Sequence, residues 1–391
     1  MKTVKKLPAM RKKPAAGEPA IRKKPASFAP SQFLRQELHG CAPMRLPNNV
    51  MQVASDCSGL CPEGLAAQLA TPGFGFEIEH VFASEICPKK RSYINTVIKP
   101  KVLSPDMKDA SGKEAMRGVH LWCCGFPCQP WSCAGKQKGS EDEDRGNFFG
   151  DIFDRISESK PSCFVLENVP GLPDSFPTEF GDLLTVLRGI NEGAYNVMWD
   201  TLRADLHGGI PQNRSRLYIV GILKTTQIHD FTFPMPVSCT LTLTQILGPR
   251  APDPLPDLQR KTEDNFGRVL CKTVQKNLKR FDKKKPTLKW TDDHIIDTGS
   301  STGHAMEGAC PCLTHSRCIN EHGYYSVIRD RFLNANDFLR LQGYPDKQHA
   351  AMLKGTDEKT LRGMLGNGMC VTVLSRLLRQ IFLSQGLVYA R

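Results

Sequence analysis

Between Asn48 and Leu223 short apolar runs alternate with amphipathic segments, and this alternation limits the possible folds more than any other feature of the chain. Val50–Ser55 (VMQVAS) reads as a buried strand that ends in the glycine-containing turn DCSGLCPEG, and EGLAAQLA reads as the helix after it. Glu79–Glu85 (EHVFASE) is a second strand; the helical stretch PKKRSYINTVI follows, with proline at its start, where a missing N–H costs nothing. Val119–Gly125 (VHLWCCG) is a third strand, GNFFGDIFDRISESK an amphipathic helix, and Ser162–Asn168 (SCFVLEN) a fourth strand. A helix around Glu179–Asn191 and the late strands YNVMWDTLRA and RLYIVGIL complete the run. Such an order predicts an α/β fold, a mostly parallel sheet with helices on both faces.

Periodicity fades after Leu223. Residues 224–330 are rich in Pro, Lys, Asp and Thr and predict a smaller, irregular domain or a long functional insertion. Order returns at NANDFLRLQGYP (Asn334–Pro345), and Val371, Leu374, Leu377, Leu378 and Ile381 then follow at helical spacing. That last helix is expected to pack back on the main sheet. The expected organisation is therefore a tail over 1–46, a main domain over 47–223, a smaller region over 224–330 and a returning segment over 331–391.

The tail is set apart by charge. Residues 1–30 carry nine Lys/Arg and one Glu, a net +8 of the chain's +12. RKKPA occurs at Arg11–Ala15 and again at Arg22–Ala26, and proline after each basic triplet opposes helix. The segment is too polar to bury a core and is expected to be disordered. It suits phosphate contact, nuclear import or both, which makes the nucleus the expected location. No apolar run approaches the ~18 residues of a membrane span, so no membrane partner is expected. Fifteen cysteines scattered over 391 residues, with no secretory signal, read as small buried residues in a reducing compartment. Nothing in the sequence calls for an obligate protein partner.

Ligands of open parallel sheets bind beyond the carboxyl ends of the strands, and the chemically interesting residues fall there. Ser58 and Gly59 follow the first strand, where glycine lets backbone approach a ligand. Glu85 ends the second strand, a position from which a carboxylate can take both hydroxyls of a ribose. Asp106 precedes the third strand and is placed to accept from an adenine amino group. Cys128 follows the third strand in GFPCQPWS, a loop stiffened by Pro127 and Pro130, and its thiolate would be a nucleophile. Glu167 and Asn168 end the fourth strand, so an acid lies one sheet position from that thiol. Arg214 and Arg216 alternate onto one face before a later strand. Cys123 and Cys124, adjacent in a strand, point to opposite faces and make a poor metal pair with Cys128 and Cys133. His304, Cys310, Cys312, His315, Cys318 and His322 come closer to ligand spacing, but no metal site is assigned.

These motifs resemble the cytosine-C5 DNA methyltransferases that use S-adenosylmethionine. The resemblance covers about residues 50–385, with the blocks in family order. GFPCQPWS is similar to the catalytic Pro-Cys loop, Glu167–Val169 (ENV) to the second catalytic block, and Gln212–Arg216 (QNRSR) to the Gln-x-Arg-x-Arg block. Arg340–Pro345 (RLQGYP) and Gly366–Gly368 (GNG) are similar to the last two blocks, and Pro311–Arg317 (PCLTHSR) to the segment closing the target-recognition region. The resemblance implies a Rossmann-like methyltransferase domain at 47–223, target recognition at 224–330, S-adenosylmethionine as cofactor and double-stranded DNA as partner. It implies Cys128 as nucleophile toward C6 of a flipped-out cytosine, Glu167 as partner of N3, and Arg216 with Arg214 holding the base or the loop. It places Ser58, Gly59, Glu85, Asp106, Pro127 and Asn367 at the cofactor. Three positions depart from the family pattern: the first-block acid is Ser55 or has slid to Asp56, Cys57 replaces a stacking aromatic, and Gly368 replaces a serine.

Other readings are an RNA methyltransferase of the same chemistry, a catalytically silent DNA-binding member, and a cysteine hydrolase. The tRNA-directed branch typically carries PPCQPF, against FPCQPW here, which favours DNA. Intact Cys128, Glu167 and Arg216 argue against a silent member, and no histidine obviously pairs with Cys128 as a hydrolase would need.

Overall fold

A computed structural model describes residues 43–387 except 74, 110, 129–147, 239–240, 251–271, 285–292, 301–303 and 321. The basic tail, with its expected disorder and import signal, and most of the loop after Cys128 lie outside the described residues. All that follows belongs to one unit, Gln36–Arg391.

The alternating region forms β1 (Val50–Asp56), α1 (Pro62–Ala70), β2 (Glu77–Ser84), α2 (Pro88–Tyr93), β3 (Val102–Ser104), α3 (Ser111–Ala115), β4 (Leu121–Gly125), α4 (Phe148–Ser159) and β5 (Cys163–Asn168). It continues through α5 (Gly171–Ser175), α6 (Pro177–Gly193), β6 (Tyr195–Arg203), α7 (Ala204–His207), β7 (Gln212–Asn213) and β8 (Ser215–Leu223). The main sheet has seven strands in the order β3-β2-β1-β4-β5-β8-β6. The first five are parallel, and β8 runs antiparallel to both β5 and β6. The edge strand β3 escapes the sequence reading because three residues, two of them half-buried, carry no legible period; the expected third strand is therefore β4.

Residue alternation assigns the two faces. Val53, Cys123, Val165 and Val220 point to one side, where α1 and a C-terminal helix supply Ala66, Ala67, Leu374 and Leu378. Ala54, Trp122, Cys124, Phe164 and Ile219 point to the other, against Ile152 and Ile156 of α4 and Leu183 and Leu187 of α6. Cys123 and Cys124 do take opposite faces.

The region after β8 contains α8 (Leu243–Leu247), α9 (Lys272–Lys284), β9 (His294–Asp297), β10 (His304–Glu307), β11 (Cys310–Pro311), α10 (His315–Cys318), β12 (Tyr324–Ser326) and β13 (Arg331–Phe332). A four-stranded antiparallel sheet, β10-β9-β12-β13, gives it a small core of its own: Leu278 of α9 with Ile296, Tyr325, Val327 and Phe332. Ile295, one residue before Ile296, faces the main core instead, so β9 joins the two cores. The chain ends in α11 (Ala335–Leu341), α12 (Asp346–Lys354), α13 (Glu358–Asn367) and α14 (Val371–Ser384). As expected, α14 returns to the main sheet, and it does so over α1.

One buried charge pins the carboxyl end of β1. Asp56 is 1% exposed. Its carboxylate lies 3.1 Å from Arg155 Nε and accepts from Trp122 Nε1 at 3.0 Å and Ser84 Oγ at 2.5 Å. The pair joins β1, β2, β4 and α4. Removing one member of such a buried pair strands the other, so Arg155→Ala should lower unfolding stability by about 3–5 kcal/mol, read as a fall in the urea midpoint at unchanged m-value.

Candidate active site

A cleft of about 810 Å³ opens at the carboxyl ends of β1 to β5. It lies where β1 has β2 on one side and β4 on the other, the switch point at which open α/β sheets bind ligands. Ser58, Gly59, Glu85, Asp106, Pro127 and Asn367, six residues drawn from five chain segments, all line it.

The turn after β1 is built around its neighbours. Gly59 has φ +51°, a left-handed conformation that glycine adopts without strain, and its N–H donates to Glu85 Oε2 at 3.2 Å. Glu85 also accepts from the Cys87 N–H at 3.0 Å, and Lys90 Nζ stands 3.6 Å away. The carboxylate is therefore fixed at the strand end. The Ser58 hydroxyl donates to the Ser55 carbonyl at 3.0 Å and accepts from the Ser84 N–H at 3.2 Å, so it holds the turn together as well as lining the cleft. Asp106 is oriented by the Lys108 N–H, 3.0 Å from Oδ1. Asp56 faces inward to Arg155 and Trp122, and no acid of β1 is among the residues lining the cleft; the departure noted at Ser55 and Asp56 is real in three dimensions. Sequence reasoning missed Ile86, which lines the cleft at 77% exposure directly after Glu85, together with Met107 and Phe148. A large apolar residue left in solvent at a strand end is the signal that would have found Ile86. The donors, the acidic anchor and the apolar walls fit an adenosyl cofactor in both size and chemistry.

The reactive corner adjoins this cleft. Glu167, the penultimate residue of β5, lines the cleft and is opposite Gly125 of β4, three residues before Cys128. Arg216 Nε lies 3.1 Å from Glu167 Oε1 across the β5–β8 pair. Asn168 Nδ2 donates to the Phe126 carbonyl at 3.2 Å and ties the Cys128 loop to β5. Burial raises the Glu167 carboxyl above its ordinary range against the pull of Arg216 and Arg214. Burial and then the Glu167 charge raise the Cys128 thiol, which Arg216 and Arg214 partly offset. Cys128, Glu167 and Arg216 thus form one electrostatic unit, and a raised carboxyl beside a thiol is a pair suited to acid–nucleophile chemistry.

Arg214, expected with Arg216 at the base or the loop, directs its hydrogen bonds to backbone carbonyls. It is 1% exposed and donates to the carbonyls of Leu313 at 2.6 Å, Gly366 at 3.2 Å and Gly368 at 2.6 Å. Its charge reaches Cys128 and Glu167, but its hydrogen bonds clamp backbone. Gln212 does similar work, donating to the Leu341 carbonyl at 2.7 Å and accepting from the Leu313 N–H at 3.3 Å. A side chain at Gly366 would drive into the backbone of Thr314 and His315, which is why the GNG turn begins with glycine. The histidines and cysteines after His304 disperse. Cys310 and Cys318 are buried in the core, His304 is exposed, His315 Nδ1 lies 3.1 Å from the Gly363 carbonyl, and Cys312 faces the arginines.

A doubly wound sheet with a nucleoside-type cleft and a thiol–carboxyl–arginine corner beside it defines a Rossmann-like group-transfer enzyme. A sequence model described as C-5 cytosine-specific DNA methylase matches residues 59–383, and the chain belongs to that family, whose cofactor is S-adenosylmethionine. Among similar proteins, the type II methyltransferase M.Bsp6I of Bacillus sp. (strain RFL6) is 28% identical over 318 residues, 79% of this chain and 94% of its own. M.HpaII of Haemophilus parainfluenzae is 28% identical over 283 residues, covering 69% and 73%. M.HhaI of Haemophilus parahaemolyticus is 38% identical over 130 residues, covering 33% and 38%. The S. pombe Dnmt2 methyltransferase structure shares the fold, with a TM-score of 0.52 at 19% identity over 87% of this chain and 100% of its own.

If Glu85 anchors the cofactor, Glu85→Gln should weaken S-adenosylmethionine binding by about tenfold, the loss of roughly one charge-assisted hydrogen bond. Titration calorimetry on the folded variant checks this.

Proposed function

We propose that this protein methylates C5 of cytosine in double-stranded DNA through a covalent intermediate on Cys128. The supporting observation is that Arg216 pairs with Glu167, both bear electrostatically on the Cys128 thiol, and Glu167 itself lines the cofactor cleft. The type II methyltransferases that the chain resembles support DNA as the substrate.

C5 of cytosine is a weak carbon nucleophile. Cys128, as thiolate, adds to C6, and electron density moves toward N3 and C5. Glu167, whose carboxyl burial makes easier to protonate, donates to N3 in its acid form and stabilises that charge. Arg216 holds the Glu167 carboxyl in place. Bound in the cleft, S-adenosylmethionine supplies the electrophilic methyl group that C5 takes up. Solvent water takes the C5 proton as the Cys128 sulfur leaves as thiolate, and N3 returns its proton to Glu167, restoring the aromatic ring. A base stacked inside a duplex is out of reach of this corner, so the target nucleotide has to swing out. The small antiparallel sheet and basic α9 are the elements placed to read the flanking duplex, and the basic tail adds phosphate contact and nuclear import.

Incubation with labelled cofactor and 5-fluorocytosine-containing duplex should trap a covalent adduct, because fluorine at C5 does not leave as a proton does. Cys128→Ala should give none. RNA with the same base is the second arm; trapping on RNA alone would transfer the reading to an RNA substrate, and no adduct on either polymer would end it. Glu167→Gln should slow turnover by about 10²–10³-fold while the fold persists. Turnover needs Cys128 ionised and Glu167 protonated, so these two groups bound a bell in kcat, and Glu167→Gln should remove one of its limbs.

A further inference from the structure

Cys312 is a second sulfur at the reactive corner, and the mechanism above does not use it. Its Sγ lies 3.8 Å from both Nη1 and Nη2 of Arg216 and 3.9 Å from Nη1 of Arg214. Arg216 is thus shared: its terminal nitrogens face sulfur, while its Nε stands 3.1 Å from Glu167 Oε1. That Nε approach is an ion pair without good hydrogen-bond direction, since Glu167 Oε1 is buried and has no well-aligned donor. A guanidinium free of other acceptors would present two parallel N–H bonds to a carboxylate. Here the sulfur occupies the edge that could do so, and Nη1 is further held by the Ser215 carbonyl at 2.7 Å.

We propose that Cys312 is a positioning residue of the base pocket: its sulfur engages both terminal nitrogens of Arg216 and so limits Glu167 to a single side-on contact with that guanidinium. This rests on the assignment of Glu167 as the acid at N3. An acid must keep its proton to donate it, and a forked arginine would strip that proton by stabilising the carboxylate. Cys312 prevents the fork.

The charge environment makes this thiol easier to ionise. Burial pushes the Cys312 thiol up, but Arg216 and Arg214 more than offset it and leave it below an ordinary thiol. The other groups facing the sulfur are the Cys310 and Cys318 thiols, the Tyr324 hydroxyl, which donates to the Cys312 carbonyl at 2.7 Å, and the Leu313 carbonyl, which accepts from the Cys312 thiol at 3.6 Å. Glu167 is faced by Arg216, Arg214, Cys128 and the Tyr218 hydroxyl. Cys312→Ser removes the large sulfur that touches both terminal nitrogens of Arg216 and leaves Arg216 free to fork onto Glu167. The sign follows: a better-paired carboxylate holds its proton less well, so the kcat limb set by Glu167 moves to lower pH.

The test uses the full chain with cofactor and duplex. In Cys312→Ser and Cys312→Ala the kcat limb that Glu167→Gln abolishes should shift down by about one pH unit, with the thermal midpoint close to that of the parent. A cysteine that only fills space would depress kcat or the midpoint at every pH and leave the limb where it was; that result overturns the proposal. The 5-fluorocytosine trap on the parent separates the two readings: a normal adduct with an unmoved limb removes only the role of Cys312, whereas absence of the adduct removes the assignment of Glu167 with it.

Discussion

The Arg214 clamp is the interaction on which the assembled site depends. One buried guanidinium satisfies three backbone carbonyls, those of Leu313, Gly366 and Gly368, which lie 99 to 154 residues away along the chain. Backbone carbonyls buried without a donor are costly, and a charged donor is the strongest remedy available. The clamp therefore selects the one arrangement in which the QNRSR strand, the PCLTHSR segment and the GNG turn lie side by side. Gln212 reinforces it from the same strand, and Gln342 from α11's end through the Leu365 and Gly368 carbonyls. With these in place Asn367 and Gly368 reach the cofactor cleft, and Arg216, two residues from Arg214, is delivered to Glu167.

The site is made of two parts with different physical logic. The cofactor cleft relies on geometry that the sheet supplies without special side chains: parallel strand ends, a left-handed Gly59 and an anchored Glu85. The reactive corner relies on burial, which raises both the thiol and the carboxyl, and on one arginine that keeps their charges from becoming prohibitive. Glu167 belongs to both, since it lines the cleft and faces Arg216. That shared residue lets a methyl donor and a pyrimidine ring meet at one point.

Much of this was legible in the sequence. The period-two runs named four of the first five strands, and the spacing Val371, Leu374, Leu377, Leu378, Ile381 named the helix that closes over α1. Ser58, Gly59, Glu85 and Asp106 stand out because strand ends carry function in parallel sheets, Pro127 and Asn367 come from the family resemblance, and all six line one cleft. What was misplaced shows where such reasoning stops. The three residues of β3 are too few to show a period. Arg214 and Arg216 look alike in sequence, and both do reach Cys312, but only their partners distinguish a backbone clamp from a carboxylate pair. Ile86 and Cys312 carry no motif that gives them a role; both matter because of what stands next to them in space.

By itself, then, the sequence determined the layered α/β architecture, the order of the blocks and the residue types of the chemistry, because hydrophobic period and turn composition act locally along the chain. Only the tertiary structure decided which side chains share a partner. It turned Asp56 inward to Arg155, gave Arg214 to the backbone, and divided Arg216 between Glu167 and Cys312. Those outcomes depend on burial and on distances between residues far apart in sequence, and neither can be read from spacing.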